Sequence, residues 1–233
     1  MRFKSKTVLI TGAAGNLGRA VAQAFANEGA SLALVDLRSG DLQAAFSDME
    51  RHILVEANLL RAEDAMAASD KVVARFGQID VLCNLAGGFR MGEAVHETST
   101  TTWDFLLGVN AESLLHMARA AVPHMLAAGS GKIINIGALA AQKGGAQMGA
   151  YAASKSVVVR LTESMSAELR EASINVNCVL PTIIDTPENR AAMPEADPRR
   201  WVAPSDLANV ILFLASDEAR AVHGAALPVV GLS

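Results

Sequence analysis

Thr7-Val8-Leu9-Ile10-Thr11-Gly12-Ala13-Ala14-Gly15-Asn16-Leu17-Gly18 begins as an apolar run, breaks into glycines and resumes as a helical pattern. The run reads as a strand with both faces covered, because no polar residue alternates with the apolar ones. Beyond it, Leu17, Ala20, Val21, Ala24 and Phe25 recur at helical spacing, and Gly29 supplies the stop. A glycine-rich turn between a strand and an amphipathic helix lets the backbone approach a pyrophosphate at the helix N-terminus. Asp36 closes the next apolar run 18 residues after Gly18, which completes a dinucleotide-binding pattern.

The same alternation continues outward. Thr7–Ile10, Ser31–Asp36, His52–Ala57, Val81–Asn84, Lys132–Ile136, Asn175–Val179 and Leu227–Val230 read as strands separated by helical patterns. Such βαβ repetition predicts a parallel sheet. At 233 residues the chain suits one domain, 1–233, and 51% apolar against 19% charged residues supplies a large core. Pro181 to Trp201 carries four prolines and reads as a long loop, a substrate lid over about 181–203. A net charge of −4 argues against a nucleic-acid surface. No apolar run is long enough for a membrane span, and no signal peptide precedes the first strand, so a cytoplasmic protein is expected. Cys83 and Cys178 stand far apart in strands and are expected to be buried and reduced. The five histidines lack ligand spacing, so no metal is expected.

Asp36 can accept hydrogen bonds from both hydroxyls of an adenosine ribose and would repel a 2′-phosphate, which favours NAD(H) over NADP(H). Arg38 softens that preference, and NADP(H) is not excluded. Further along, Tyr151 and Lys155 stand four residues apart at the start of a helical stretch running to about Glu171, on one face. A phenol needs a nearby cation to work as an acid–base group at neutral pH, and Lys155 is the candidate.

With these motifs in this order the chain resembles the short-chain dehydrogenase/reductase family over essentially its whole length. Asp80-Val81-Leu82-Cys83-Asn84-Leu85-Ala86-Gly87, Asn110 and Pro181-Thr182-Ile183-Ile184-Asp185-Thr186 are similar to the family's remaining motifs. The resemblance implies a Rossmann-type, doubly wound parallel sheet of about seven strands. It implies hydride transfer between a nicotinamide and a small carbonyl or alcohol substrate, with Tyr151 exchanging the proton. Lys155 would bind the nicotinamide ribose, and Asn110 would help hold a water beside it. Cofactor contacts would come from Gly12, Gly15, Asn16, Leu17, Gly18, Asp36, Asn58, Leu59, Asn84, Ala86, Gly87, Tyr151, Lys155, Pro181, Ile184 and Thr186. Asn58 would accept from the adenine amino group, and the Ile184 backbone with Thr186 would orient the carboxamide. A homo-oligomer, dimer or tetramer, is implied through the helix after Tyr151. There Val158, Leu161, Met165 and Leu169 form one stripe, and Val159, Ser166 and Ala167 form a second flank.

Thirteen residues before Tyr151, where most members place a serine, stands Ala138. Losing such an oxyanion donor costs on the order of 10²–10³ in rate. One explanation is a substitute donor among Gln142, Gln147, Ser154 and Thr182. A second is a conjugated C=N substrate, since Ala138, the Gly12/Gly15/Gly18 spacing, Ala86-Gly87-Gly88-Phe89 and the lid residues Asp185–Arg190 and Met193–Asp197 resemble dihydropteridine reductases. The third is a NAD-binding regulatory protein without turnover. Arg190, Met193 and Trp201 join Ala138, Gln142 and Gln147 as candidate substrate contacts. For Trp103 and Phe105, packing around Asn110 is the expected role.

Overall fold

The computed structural model describes residues 1–47 and 51–233. The seven strands are β1 Thr7–Thr11, β2 Ser31–Asp36, β3 His52–Glu56, β4 Val81–Asn84, β5 Gly131–Ile136, β6 Ile174–Pro181 and β7 Ala226–Val229. Each expected strand is present, with ends shifted by two residues at most. The strands form one parallel sheet in the order β3-β2-β1-β4-β5-β6-β7.

The strands are apolar on both sides because helices cover both faces. Val8 and Ile10 face a core completed by Val21, Phe25 and Ile211, from α1 (Asn16–Asn27) and α8 (Pro204–Ala215). Leu9 faces the opposite core with Val72, Met117 and Val158, from α3 (Ala62–Phe76), α5 (Ser113–Ala128) and α6 (Gly149–Leu169). Helix α1 ends as its sequence requires. Gly29 adopts φ +86, its N–H donates to Ala26, and the Ala30 N–H reaches Phe25, a Schellman closure. Two shorter helices, α2 (Ser39–Phe46) and α4 (Thr100–Leu107), complete the first six.

A chain of buried side chains fixes α6 on the sheet. Asn84 Nδ2 donates to Asn135 Oδ1 at 2.9 Å, and Asn135 Nδ2 donates to Thr162 Oγ1 at 2.9 Å. The strands β4 and β5 are thereby joined to the helix that carries Tyr151 and Lys155. Asn84, expected at the cofactor, gives its Nδ2 to this chain, while its Oδ1 has no hydrogen-bond partner among the described residues.

One expectation is corrected. The segment after Pro181 is not an irregular loop: α7 (Pro187–Ala192) and a 3₁₀ turn at Pro198–Arg200 lie within it, and Ile184 bridges to Val202. Thr186 caps α7 by accepting from Asn189 N, and Asp197 accepts from Arg199 N, each with proline at the first helical position. On the second flank of α6, Val159 and Ser166 are buried by the chain itself, while Ala167 is exposed. Cys83 and Cys178 are both buried and unpaired. Among the described residues no helix is long and apolar enough to cross a membrane.

Candidate active site

In a parallel sheet of this order the chain reverses its winding between β1 and β4, and a crevice opens beyond their carboxyl ends. Here that crevice is a cleft of about 810 Å³, lined by the glycine turn, Asp36, Asn58, Leu59, Ala86 and Thr186 among others. The glycines are sterically required. Gly12 adopts φ +63, and a Cβ on it would stand 2.9 Å from Ala86 backbone, while one on Gly18 would lie 2.2 Å from Gly12 O. Thr11 Oγ1 accepts from both Leu85 N and Ala86 N, tying the end of β1 to the segment after β4.

Asp36 is held from two directions, accepting from Ala14 N at 2.9 Å and Leu37 N at 2.7 Å. Its carboxylate therefore stays at the cleft wall as a fixed negative charge. Arg38 also lines the cleft but is engaged by Asp41, Nε to Oδ2 2.6 Å. That ion pair, with its hydrogen bond, raises the Arg38 pKa further. Asn16 Nδ2 donates to Glu188 Oε2 at 2.8 Å, so the glycine turn is latched to α7 across the cleft mouth. Asn58 Oδ1 accepts from Leu60 N at 3.1 Å, and His116 Nδ1 lies 2.8 Å from the Leu59 carbonyl. The Ile184 carbonyl is taken by Asn189 Nδ2.

The second cluster lies where α6 begins. Lys155 is buried and donates to the Ile136 carbonyl at 2.9 Å; burial pulls its pKa down to about 8. Tyr151 shows the opposite of the expected shift: burial pushes its pKa up to about 12. Desolvation penalises phenolate and here exceeds any help from Lys155, whose ammonium is directed at Ile136. Asn110 sits on a π-helical turn, Gly108–Glu112, between α4 and α5. Such turns recur at functional positions because they re-aim side chains. Asn110 Oδ1 accepts from Gly88 N, and its Nδ2 donates to Gly88 O and Ser154 Oγ, each at 3.0 Å.

Ala138 is buried in extended backbone just after β5, at the head of a 3₁₀ turn spanning Leu139–Ala141. Substitute donors are scarce. The Ser154 hydroxyl donates to Tyr151 O, and Thr182 Oγ1 bonds Val230 O and Ser233 Oγ. Gln142 and Gln147 are exposed, and the Gln147 backbone carbonyl accepts from Gly92 N. Arg190 is paired with Asp185 through both Nε and Nη2, at 2.6 and 2.7 Å. Trp201 is buried, with Gly231 backed onto its carbonyl, so it covers the interior; Met193 is half-buried. Pro181 ends β6, paired with Val229, outside the cleft lining. Trp103 is half-exposed, while Phe105 lines the cleft and carries the Arg90 guanidinium 3.9 Å above its ring.

Residue 89 was not singled out for a role in the site by its sequence position. The Phe89 ring stands edge-to-face against Tyr151, centroids 4.8 Å apart and planes at 86°. Asp41 and Glu188 were likewise missed. The spacing Arg38–Asp41 at i,i+3 on a short helix signalled the first; nothing local signals the second, 172 residues from its partner Asn16.

The family model for short chain dehydrogenases matches residues 6–197. The chain belongs to the short-chain dehydrogenase family. Its curated relatives include a D-threitol dehydrogenase of Mycolicibacterium smegmatis, 35% identical over 99% of this chain and 93% of that protein. A cis-4-hydroxycyclohexanecarboxylate dehydrogenase of Sinomonas cyclohexanicum is 33% identical over 98% of this chain and 96% of that one. Among solved structures, an NAD⁺-bound xylitol dehydrogenase superposes with a TM-score of 0.93 at 27% identity, covering 99% of this chain and 100% of the other. As a member of this short-chain dehydrogenase family the chain is an oxidoreductase of the alcohol–carbonyl type, in a family that uses NAD(P)(H).

Proposed function

We propose that this chain is an NAD(H)-dependent oxidoreductase interconverting a small organic carbonyl compound and its alcohol, with Tyr151 exchanging the proton. The observation carrying this reading is the meeting of two clusters: a cleft lined by the glycine turn, Asp36 and Gly87, and, against Gly87, buried Lys155 with half-buried Tyr151 one turn before it on α6. A Cβ on Gly87 would come within 3.3 Å of Lys155 Nζ, so the glycine segment lies directly against the ammonium.

The residues present fit a dinucleotide. The glycine turn leaves a cradle that side chains would fill, and Asp36 offers two fixed acceptor oxygens to a ribose diol. The fixed carboxylate disfavours a 2′-phosphate, and the Asp41 contact withholds Arg38 from it, so NAD(H) is preferred. When bound, a nicotinamide supplies or accepts the hydride.

The rest is done by the chain. In reduction the Tyr151 hydroxyl gives its proton to the carbonyl oxygen as negative charge develops there, and in oxidation it takes the proton back. Its high pKa keeps it protonated at neutral pH, which suits the reductive direction. Lys155, charged below about pH 8, would turn from the Ile136 carbonyl to a sugar hydroxyl of the bound cofactor, where its charge favours the phenolate left behind. Asn110 holds Gly88 through both of that residue's backbone groups. Ala138 adds no donor, so the developing oxyanion is held by Tyr151 alone among these side chains.

The test is NADH oxidation by purified protein against a panel of ketones, diketones, quinones and a quinonoid dihydropterin. Turnover on at least one, with NADH preferred to NADPH, is expected. Clear NADH binding with no turnover on any would instead support a regulatory NAD-binding role.

A further inference from the structure

The segment after β4 delivers a single ring to Tyr151. Gly87 and Gly88 run where side chains cannot: a Cβ on Gly87 would stand 2.9 Å from Asn110 Oδ1, and one on Gly88 would stand 2.8 Å from Phe105. Asn110 then fixes Gly88 through both its backbone groups. On the far side, Arg90 is stacked on Phe105, and Gly92 N–H donates to the Gln147 carbonyl at 2.9 Å. Between these anchors Phe89 is set against Tyr151, yet it is 55% exposed. A lone exposed phenylalanine needs no explanation. One anchored on both flanks, touching the phenol with part of its ring and open over the rest, is a prepared contact surface.

We infer that Phe89 is the substrate-selecting wall of this active site, and that the preferred substrate carries a flat aromatic or conjugated ring, next to the reacting carbonyl or alcohol, that packs on it. The inference rests on the oxidoreductase reading above and adds the substrate class. Ala138 leaves the site without the hydroxyl donor a serine would supply, so the substrate has to be oriented by other contacts. Packing against a fixed ring also supplies orientation that a second hydrogen bond would otherwise provide. Asn110 acts through Phe89 here, as a positioning residue.

An aromatic contact of this kind shifts affinity by roughly 2- to 13-fold beyond simple burial. The experiment measures dissociation constants by calorimetry on the NAD⁺-loaded enzyme, which cannot reduce a ketone, for acetophenone and octan-2-one, two ketones of equal carbon number. The wild type is expected to prefer acetophenone. Phe89→Leu, which keeps an apolar side chain without the ring, is expected to lower the acetophenone-to-octan-2-one affinity ratio by about 2- to 13-fold. Phe89→Trp is expected to restore it. An unchanged ratio in Phe89→Leu overturns the inference, as does a wild type with no preference for the ring. Steady-state kinetics separate this from a structural role: loss of the wall raises KM for the ring ketone, whereas disturbance of Tyr151 lowers kcat for both ketones alike, which would also overturn it. NADH-linked turnover of ketones with no dependence on Phe89 leaves the oxidoreductase reading standing. A dead panel removes that reading, while the binding ratio still decides the role of Phe89.

Discussion

Restoring a hydroxyl at Ala138 is the perturbation whose size follows most directly from the structure. The position lies in extended backbone, φ −160 and ψ 156, which serine adopts without strain, and it is 6% exposed. A donor aimed at a developing oxyanion contributes about 3–4 kcal/mol to the transition state, or 10²–10³ in rate. The same hydroxyl has no evident partner in the resting site, and burying it unsatisfied costs about 1–3 kcal/mol. For a chain of this length, that corresponds to a fall in Tm of roughly 2–12 °C. Ala138→Ser is therefore expected to be somewhat less stable and, toward an acyclic ketone such as octan-2-one, markedly faster. The gain should appear in kcat with KM little changed, because the new bond strengthens only as charge develops. Steady-state kinetics, run below the melting transition found for each protein, together with the melting curves, provide the assay. An unchanged or reduced kcat on acyclic ketones, in a protein that melts within the expected range, would refute the idea that the oxyanion here lacks a donor.

Three other outcomes are expected. Among the described residues, Asn135→Leu removes the side-chain partner of Asn84, whose Oδ1 already has none, and takes a donor from Thr162; a loss of about 2–4 kcal/mol in urea unfolding is expected. The double variant Asn84→Leu/Asn135→Leu should cost less than the sum of the single changes, and strict additivity would argue against a coupled chain. Asp41→Asn releases Arg38 to meet a 2′-phosphate, and the kcat/KM ratio of NADPH to NADH should rise about 2- to 5-fold at low salt, fading at high salt; a ratio that stays put would mean the pair plays no part in selectivity. The pH profile of kcat/KM for reduction should fall as pH rises through about 8, where Lys155 loses its charge, while Tyr151, at about 12, stays protonated throughout; a flat profile from pH 7 to 10 contradicts that assignment.

The residues that carry local rules were legible in the sequence. The glycines at 12, 15 and 18, the stop at Gly29 and the strand-closing Asp36 each answer to a backbone or capping requirement within a few residues. Strand positions were legible because burial on both faces leaves no polar alternation. Thr186-Pro187 and Asp197-Pro198 also announce helix starts, but four prolines in one stretch drew attention to the breaks and away from the caps. Contacts between distant segments were not legible. Asn84 reads as part of a cofactor motif, and its bond to Asn135, and through it to Thr162, emerges only in the fold. Arg190 reads as free for a substrate until Asp185 folds back onto it. The Tyr151 pKa was expected to fall because Lys155 is near in sequence, whereas it rises because burial acts on the phenol while the ammonium is engaged elsewhere. Phe89 gains its meaning only when Gly87, Gly88 and Asn110 bring it to the phenol.

The central claim is that Tyr151 exchanges the proton in an NADH-linked reduction. Its most direct test is the turnover of Tyr151→Phe on whichever ketone the wild type reduces, with NADH affinity measured in parallel by fluorescence. The account predicts a loss of about 10²–10⁴-fold in kcat with NADH affinity retained. Turnover equal to the wild type would contradict it.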